Sequence, residues 1–218
     1  NALTILDNKN VGIGTDSPSA LLEVSSITGA NIRLTSTGNG LGADSTIGSL
    51  EYYGSDISAP GAGIKSSIVS KTSRSLGDDS NLIFSTSNGL INNVERMRID
   101  LDGNVGIGTT SPDTKLHIAD STSPIFTFER LDTTTIANEV IGQLNFKSTD
   151  SSDPNVNASI KVIKQDLLVG TVPMAITFET GVSNAVSERM RITSGGDVLI
   201  GTTNGSLYNS TSDTGISM

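Results

Sequence analysis

The chain has 218 residues, a net charge of −9 and a pI near 4.5, and its positive charge gathers only at Arg96/Arg98 and Arg189/Arg191, which excludes a broad basic face for nucleic acid. Hydrophobic residues make up only 35% and aromatics 4%, with no Trp and no Cys, so disulfides and thiolate zinc sites are excluded and a large single-chain core is out of reach. No apolar run approaches the ~18 residues of a membrane-spanning helix, and no signal-peptide pattern opens the chain.

In chain order, Leu3 to Gly14 reads as a strand, a tight polar turn and a returning strand. Ser17-Pro18 stops this hairpin, because proline cannot donate to a ladder, and Leu22-Glu23-Val24 follows as the next strand. Ile32/Leu34, Leu50/Tyr52 and Leu82/Phe84 are alternating pairs expected to lie on strands, with loops between them, chiefly over 54–63. The Ser/Gly-rich tract from Thr35 to Ser45 has the composition of disorder, but the alternation around it argues for a folded chain. Glu95 to Ile99 alternates Met97 and Ile99 against Arg96 and Arg98. Asp102-Gly103-Asn104 makes the turn, and Val105-Gly-Ile-Gly108 returns. Ser111-Pro112, Leu116-His117-Ile118, Phe126/Phe128, Leu144/Phe146 and Ile176/Phe178 then repeat the earlier order. A short helix or turn is expected within 133–140 and a loop over 150–157.

The recurrence is an internal repeat. Val11-Gly-Ile-Gly-Thr15 is identical to Val105-Gly-Ile-Gly-Thr109, and Glu95-Arg-Met-Arg-Ile99 to Glu188-Arg-Met-Arg-Ile192. Val11 to Val105, Leu50 to Leu144 and Phe84 to Phe178 are each 94 residues apart, and Ile107 to Ile200 is 93. Ala62-Gly-Ile-Lys65 maps to Ala158-Ser-Ile-Lys161 at 96, which places a compensated insertion in a loop. The expected organisation is a first β module over 1–94, a second over 95–187, and over 188–218 the start of a third, truncated module. Each module opens on the Gly-rich hairpin. Apolar positions persist between copies while their alternates Ser49, Glu51 and Tyr53 become Gln143, Asn145 and Lys147, so the apolar set is expected to face inward on half-buried antiparallel strands. So apolar-poor a module should complete its core between chains.

The run ERMRI, GNVGIGTTSP and KLHI, residues 95–118, closely resembles a recurring segment of the tail fibre proteins of tailed bacteriophages. The resemblance implies an all-β fold of tandem β-rich modules in an elongated, interleaved parallel homotrimer. It implies a virion protein of the shaft or near-tip region, assembled in the bacterial host cytoplasm and supporting attachment to the host surface. The partners implied are two further copies, other tail or baseplate proteins, and a saccharide or protein receptor contacted by regions outside this chain, with neither nucleic acid nor membrane insertion. Gly106 and Gly108 would mark close approach of a neighbouring chain's backbone. Two other readings stay open: a tailspike-like polysaccharide depolymerase, and a bacterial trimeric surface adhesin.

No stretch carries chemistry convincingly. Gly106-Ile-Gly108-Thr-Thr-Ser111 lacks the third glycine and the following helix of a dinucleotide site. Asp100-Leu-Asp102-Gly-Asn104 lacks the sixth-position Gly and twelfth-position Glu of a calcium loop and reads as a β-turn. His117, the single histidine, lies opposite Leu116 and Ile118 and has Glu23 as its counterpart, so it reads as an outward polar residue rather than a metal ligand at a three-fold axis. Asp78/Asp79 read as a solvated turn rather than a glycosidase pair. Asn157, Asn204 and Asn209 open glycosylation-type triplets that a protein made in a bacterial cytosol would not use. The expectation is no enzyme, no catalytic residue, no cofactor and no metal.

Overall fold

A computed structural model describes residues 2–38, 40–55, 62–74, 79–88, 93–132, 136–148, 156–165, 173–182 and 185–201. Among them the chain is strand, turn and coil, with no helix. It divides into two compact units, Asn1–Pro124 and Ile125–Met218.

The first unit holds two sheets. Strands β1 (Leu3–Ile5), β2 (Val11–Ile13) and β3 (Leu22–Val24) form a small one. β4 (Thr46–Gly54), β5 (Gly63–Thr72), β6 (Ser80–Thr86), β7 (Val94–Ile99), β8 (Val105–Ile107) and β9 (Leu116–Ile118) form the other, each strand beside the next in sequence. The second unit repeats this order with β10 (Val140–Lys147), β11 (Val156–Lys164), β12 (Met174–Val182), β13 (Ala185–Ile192) and β14 (Val198–Ile200). The Gly-rich hairpin therefore continues a meander, with β6 pairing to β7, rather than opening one.

The two meanders agree down to their irregularities. Leu50 pairs with Ile68 and Ile68 with Phe84; Leu144 pairs with Ile160 and Ile160 with Phe178. Ile68 thus corresponds to Ile160 at a spacing of 92, and the match of Ile64-Lys65 to Ile160-Lys161 at 96 is a coincidence of composition. Leu50 and Ile68 are 18 residues apart against 16 for Leu144 and Ile160, while Ile68 and Phe84 are 16 apart against 18 for Ile160 and Phe178. Both sheets carry three bulges at equivalent places, where the register skips Ile47 and Ile141, Lys65 and Asn157, and Arg96 and Arg189.

Three sequence expectations change. β3 and β9 pair parallel to their neighbours, Val11 with Leu22 and Val105 with Leu116. Ile32/Leu34 and Phe126/Phe128 lie in coil and belong to no sheet. Most notably, the apolar face is the open one. Leu50, Ile68 and Ile107 are 36–54% exposed, whereas the buried hydrophobics Val69, Ile83, Ile163, Ala175 and Leu199 alternate with them on the opposite face. There stand the paired Lys, Arg and Glu side chains; the apolar face is covered in part, where Leu34 lies over Gly48 and Phe128 over Gly142. Within 133–140, residues 137–138 form a turn. Most of the loops at 54–63 and 150–157 lies outside the described residues.

Candidate functional site

The repeated hairpin and the two faces of its sheet form the candidate site. On a regular strand Glu95 and Arg98 would point to opposite faces. The bulge at Arg96 brings them to the same one, because Glu95 pairs with Ser85 while Arg98 pairs with Ile83. The guanidinium then donates twice to the carboxylate, Nε to Oε1 at 2.6 Å and Nη2 to Oε2 at 2.9 Å. Arg191 and Glu188 do the same at 2.5 and 2.7 Å. These bonds raise both guanidinium pKa values above their ordinary level against the opposing effect of burial. The bulged Arg96 and Arg189 donate through Nε to Thr86 and Thr180.

Beside Arg98 in register stands Gly106, and beside Gly106 stands His117. A Cβ on Gly106 would come within 2.8 Å of the Thr109 carbonyl and 3.4 Å of Pro112 Cβ, and one on Gly108, at φ +73°, would strike the Ala119 carbonyl. Gly12 and Gly14 meet Thr15, Pro18 and Ser25 in the same way. The backbone that closes on both glycines here is the chain's own returning loop. That loop makes the parallel pairing of β8 and β9 possible in so few residues, where parallel connections ordinarily need a dozen or more.

Each of the other candidates has a local partner. Asp100 Oδ1 accepts the amides of Asp102 and Asn104 at 2.9 and 2.8 Å, and Oδ2 accepts Asn104 Nδ2. The Asn104 amide foremost holds the Asp100 pKa below its ordinary value. His117 Nδ1 lies 3.5 Å from the Asp113 amide and 3.0 Å from its carboxylate. At the equivalent place Glu23 Oε2 accepts the Ser19 amide and hydroxyl at 2.8 and 2.9 Å, the amide foremost lowering the Glu23 pKa. One task, accepting an amide four residues back, thus falls to both side chains. Asp79 pairs with Arg74 Nε at 3.3 Å, while Asp78, Asn204 and Asn209 lie outside the described residues, as does the Asn157 side chain. Among the described residues no three His, Cys, Asp or Glu are grouped to hold a metal, and no helix is long and apolar enough to cross a membrane.

The apolar face carries Gly48, Leu50, Ile68, Phe84, Met97 and Ile107 in the first unit and Gly142, Leu144, Ile160, Phe178, Met190 and Ile200 in the second. Sequence alternation identified this face but not its exposure. Among the described residues a coil segment lies over part of it in each unit. Leu34 sits over Gly48 and Phe128 over Gly142, so that an added Cβ would lie 2.8 Å from either side chain's Cβ. Phe126 and Phe128 pack edge to face at 4.6 Å and, with Leu144 and Ile160, line an open groove of 390 Å³. Arg130 ties the end of the segment to β10, donating to the Val140 carbonyl at 3.0 Å and to Glu139 at 2.5 Å.

No protein-family model matches the chain, and no curated protein matches it. Among solved structures, it is similar to the carboxy-terminal domain of the bacteriophage T5 L-shaped tail fibre with its intramolecular chaperone domain, at a TM-score of 0.38 and 9% identity, over 83% of this chain and 62% of that one. It is similar to the carboxy-terminal domain of the same fibre at a TM-score of 0.38 and 10% identity, over 88% of this chain and 94% of that one. The chain thus spans less than two thirds of the first of these.

Proposed function

We propose that this chain is a structural segment of a phage tail fibre, from its shaft or near-tip region, that works as a parallel homotrimer and supports attachment to the host surface without being an enzyme. The observation that carries the reading is the pair of matched meanders. Each turns one largely apolar face outward and seals the other with a bulge-set ion pair. A face of this kind is unstable in water unless it is covered, and a module that needs other copies to cover it suits a load-bearing oligomer. The ERMRI, GNVGIGTTSP and KLHI motif points to fibres in particular. The expected partners are two further copies, then tail or baseplate proteins, with receptor contact made by regions outside this chain.

Two measurements test the reading. Antibodies raised against the purified chain should decorate the tail fibres of virions in electron micrographs. The labelled chain should show no saturable adsorption to host cells beyond that to a non-host strain. Saturable, strain-specific adsorption that blocks infection would place the receptor site here and overturn the shaft assignment. Shortening of host surface polysaccharide on incubation with the chain would favour a depolymerase instead.

A further inference from the structure

We infer that copies of the chain meet through the apolar sheet face crossed by Leu34 and Phe128, and that the face bearing the Glu95–Arg98 and Glu188–Arg191 pairs remains in solvent. The inference rests on the homotrimer proposed above and says which surface makes it. The two faces of each meander differ in charge. Lys161, Glu179, Glu188 and Arg191 stand on one, and Lys161 Nζ lies 2.6 Å from Glu179; on the opposite face the rows from Gly142 to Val198 and from Leu144 to Ile200 carry no charged residue, and charge stands at the margins, where Lys164 pairs with Met174 and Arg189 donates to Thr180. Only an uncharged surface complements those two rows without stranding a buried charge.

Area agrees. Six apolar side chains on each meander's face are between 36% and 55% exposed. At on the order of 150–200 Å² per large side chain they offer roughly 1,000 Å² per chain, against about 800 Å² per partner in a standard interface. The repeat selects the occupant. The same face recurs at Leu50 and Leu144, Phe84 and Phe178, Ile107 and Ile200, so a partner that fits one unit fits the other. A second copy of this chain supplies such a partner for each. The groove beside Phe126 and Phe128 would take an aliphatic side chain from that copy. The polar face is already closed by the chain's own loop over Gly106.

The chain has no cysteine, so single-cysteine variants report each face cleanly. Leu50→Cys and Leu144→Cys should react with a maleimide at least tenfold more slowly than Glu51→Cys and Asn145→Cys under native conditions, and equally fast in denaturant. Hydroxyl-radical footprinting of the unaltered chain needs no variant: Tyr52, Met97 and Met190 should be protected relative to the denatured chain. Equal native rates, or protection of Glu51→Cys and Asn145→Cys instead, would overturn the inference. The mass of the same sample separates the two claims. A trimer with an unprotected apolar face refutes this inference alone. A monomer with that face unprotected refutes both. A different closed oligomer with the face protected keeps this inference and refutes the trimer.

Discussion

Lys9, Gly103 and Gly196 occupy one position in three equivalent turns, with φ of 70°, 73° and 90°. In each turn the residue's amide donates to the carbonyl three back, as Gly103 does to Asp100 at 3.0 Å and Lys9 to Leu6 at 2.8 Å. Only Lys9 bears the cost of a side chain in the left-handed region, so Lys9→Gly should stabilise the first hairpin by up to about 1 kcal/mol in urea denaturation. The reverse holds at Gly108, where alanine meets both the positive φ and the Ala119 carbonyl; Gly108→Ala should cost about 1–3 kcal/mol, and Gly106→Ala less, because Gly106 lies outside the left-handed region and only the Thr109 carbonyl must give way. Leu199, opposite Arg191, fills the place of Gly106 in the third copy. Thr177 is 1% exposed and its hydroxyl has no partner, while Ile83 holds the equivalent place. Thr177→Val should therefore raise stability by roughly 1 kcal/mol. Asp100 and Glu23 have folded pKa values below their unfolded ones of about 4. Their contribution is complete at neutral pH and is lost as pH falls through the folded values. Asp100→Ala should lower the melting temperature by a few degrees at pH 7 and much less at pH 2, as calorimetry at the two values would register.

The bulge at Arg96 decides more than any single contact in the hairpin, since it alone lets residues three apart share a face. Deleting Arg96 should leave Glu95 and Arg98 two apart and still on one face of a regular strand, so the pair survives and the loss should be close to that of Arg96→Ala, which also removes the bond to Thr86. Arg98→Ala should cost about 1–2 kcal/mol, short of a fully buried pair because the carboxylate stays partly in water. A comparison of urea midpoints for the three variants orders these effects. At this scale much was legible in the sequence and the failures have physical causes. The hairpins showed through turn residues and through the identity of VGIGT and ERMRI between copies. The bulge did not, because Glu95 and Arg98 read on a regular strand as opposite-facing. The direction of β9 did not either, because three residues after a short proline-bearing loop pair equally well in either sense. The register of β5 was misread because Ala-x-Ile-Lys recurs by chance, whereas its true equivalent, Ile68 with Ile160, shows only in the pairing to Phe84 and Phe178.

Across the whole chain, alternation between repeats located the apolar rows and could not say what covers them. An inward-facing row and a row waiting for another copy obey the same period of two. The structure separates them by exposure: Leu50, Leu144 and Ile200 are about half exposed, while Ile83 and Leu199 on the other side are nearly closed off. Removing apolar surface should therefore act through assembly. Leu144→Ser paired with Ile160→Ser should weaken association and leave the Glu188–Arg191 face unchanged, which sedimentation against concentration would reveal. The central claim, that one chain cannot cover its own sheets, is tested most directly by light scattering on the unmodified chain at micromolar concentration. Three times 22.6 kDa is the mass expected. A folded species of 22.6 kDa that melts cooperatively would contradict it.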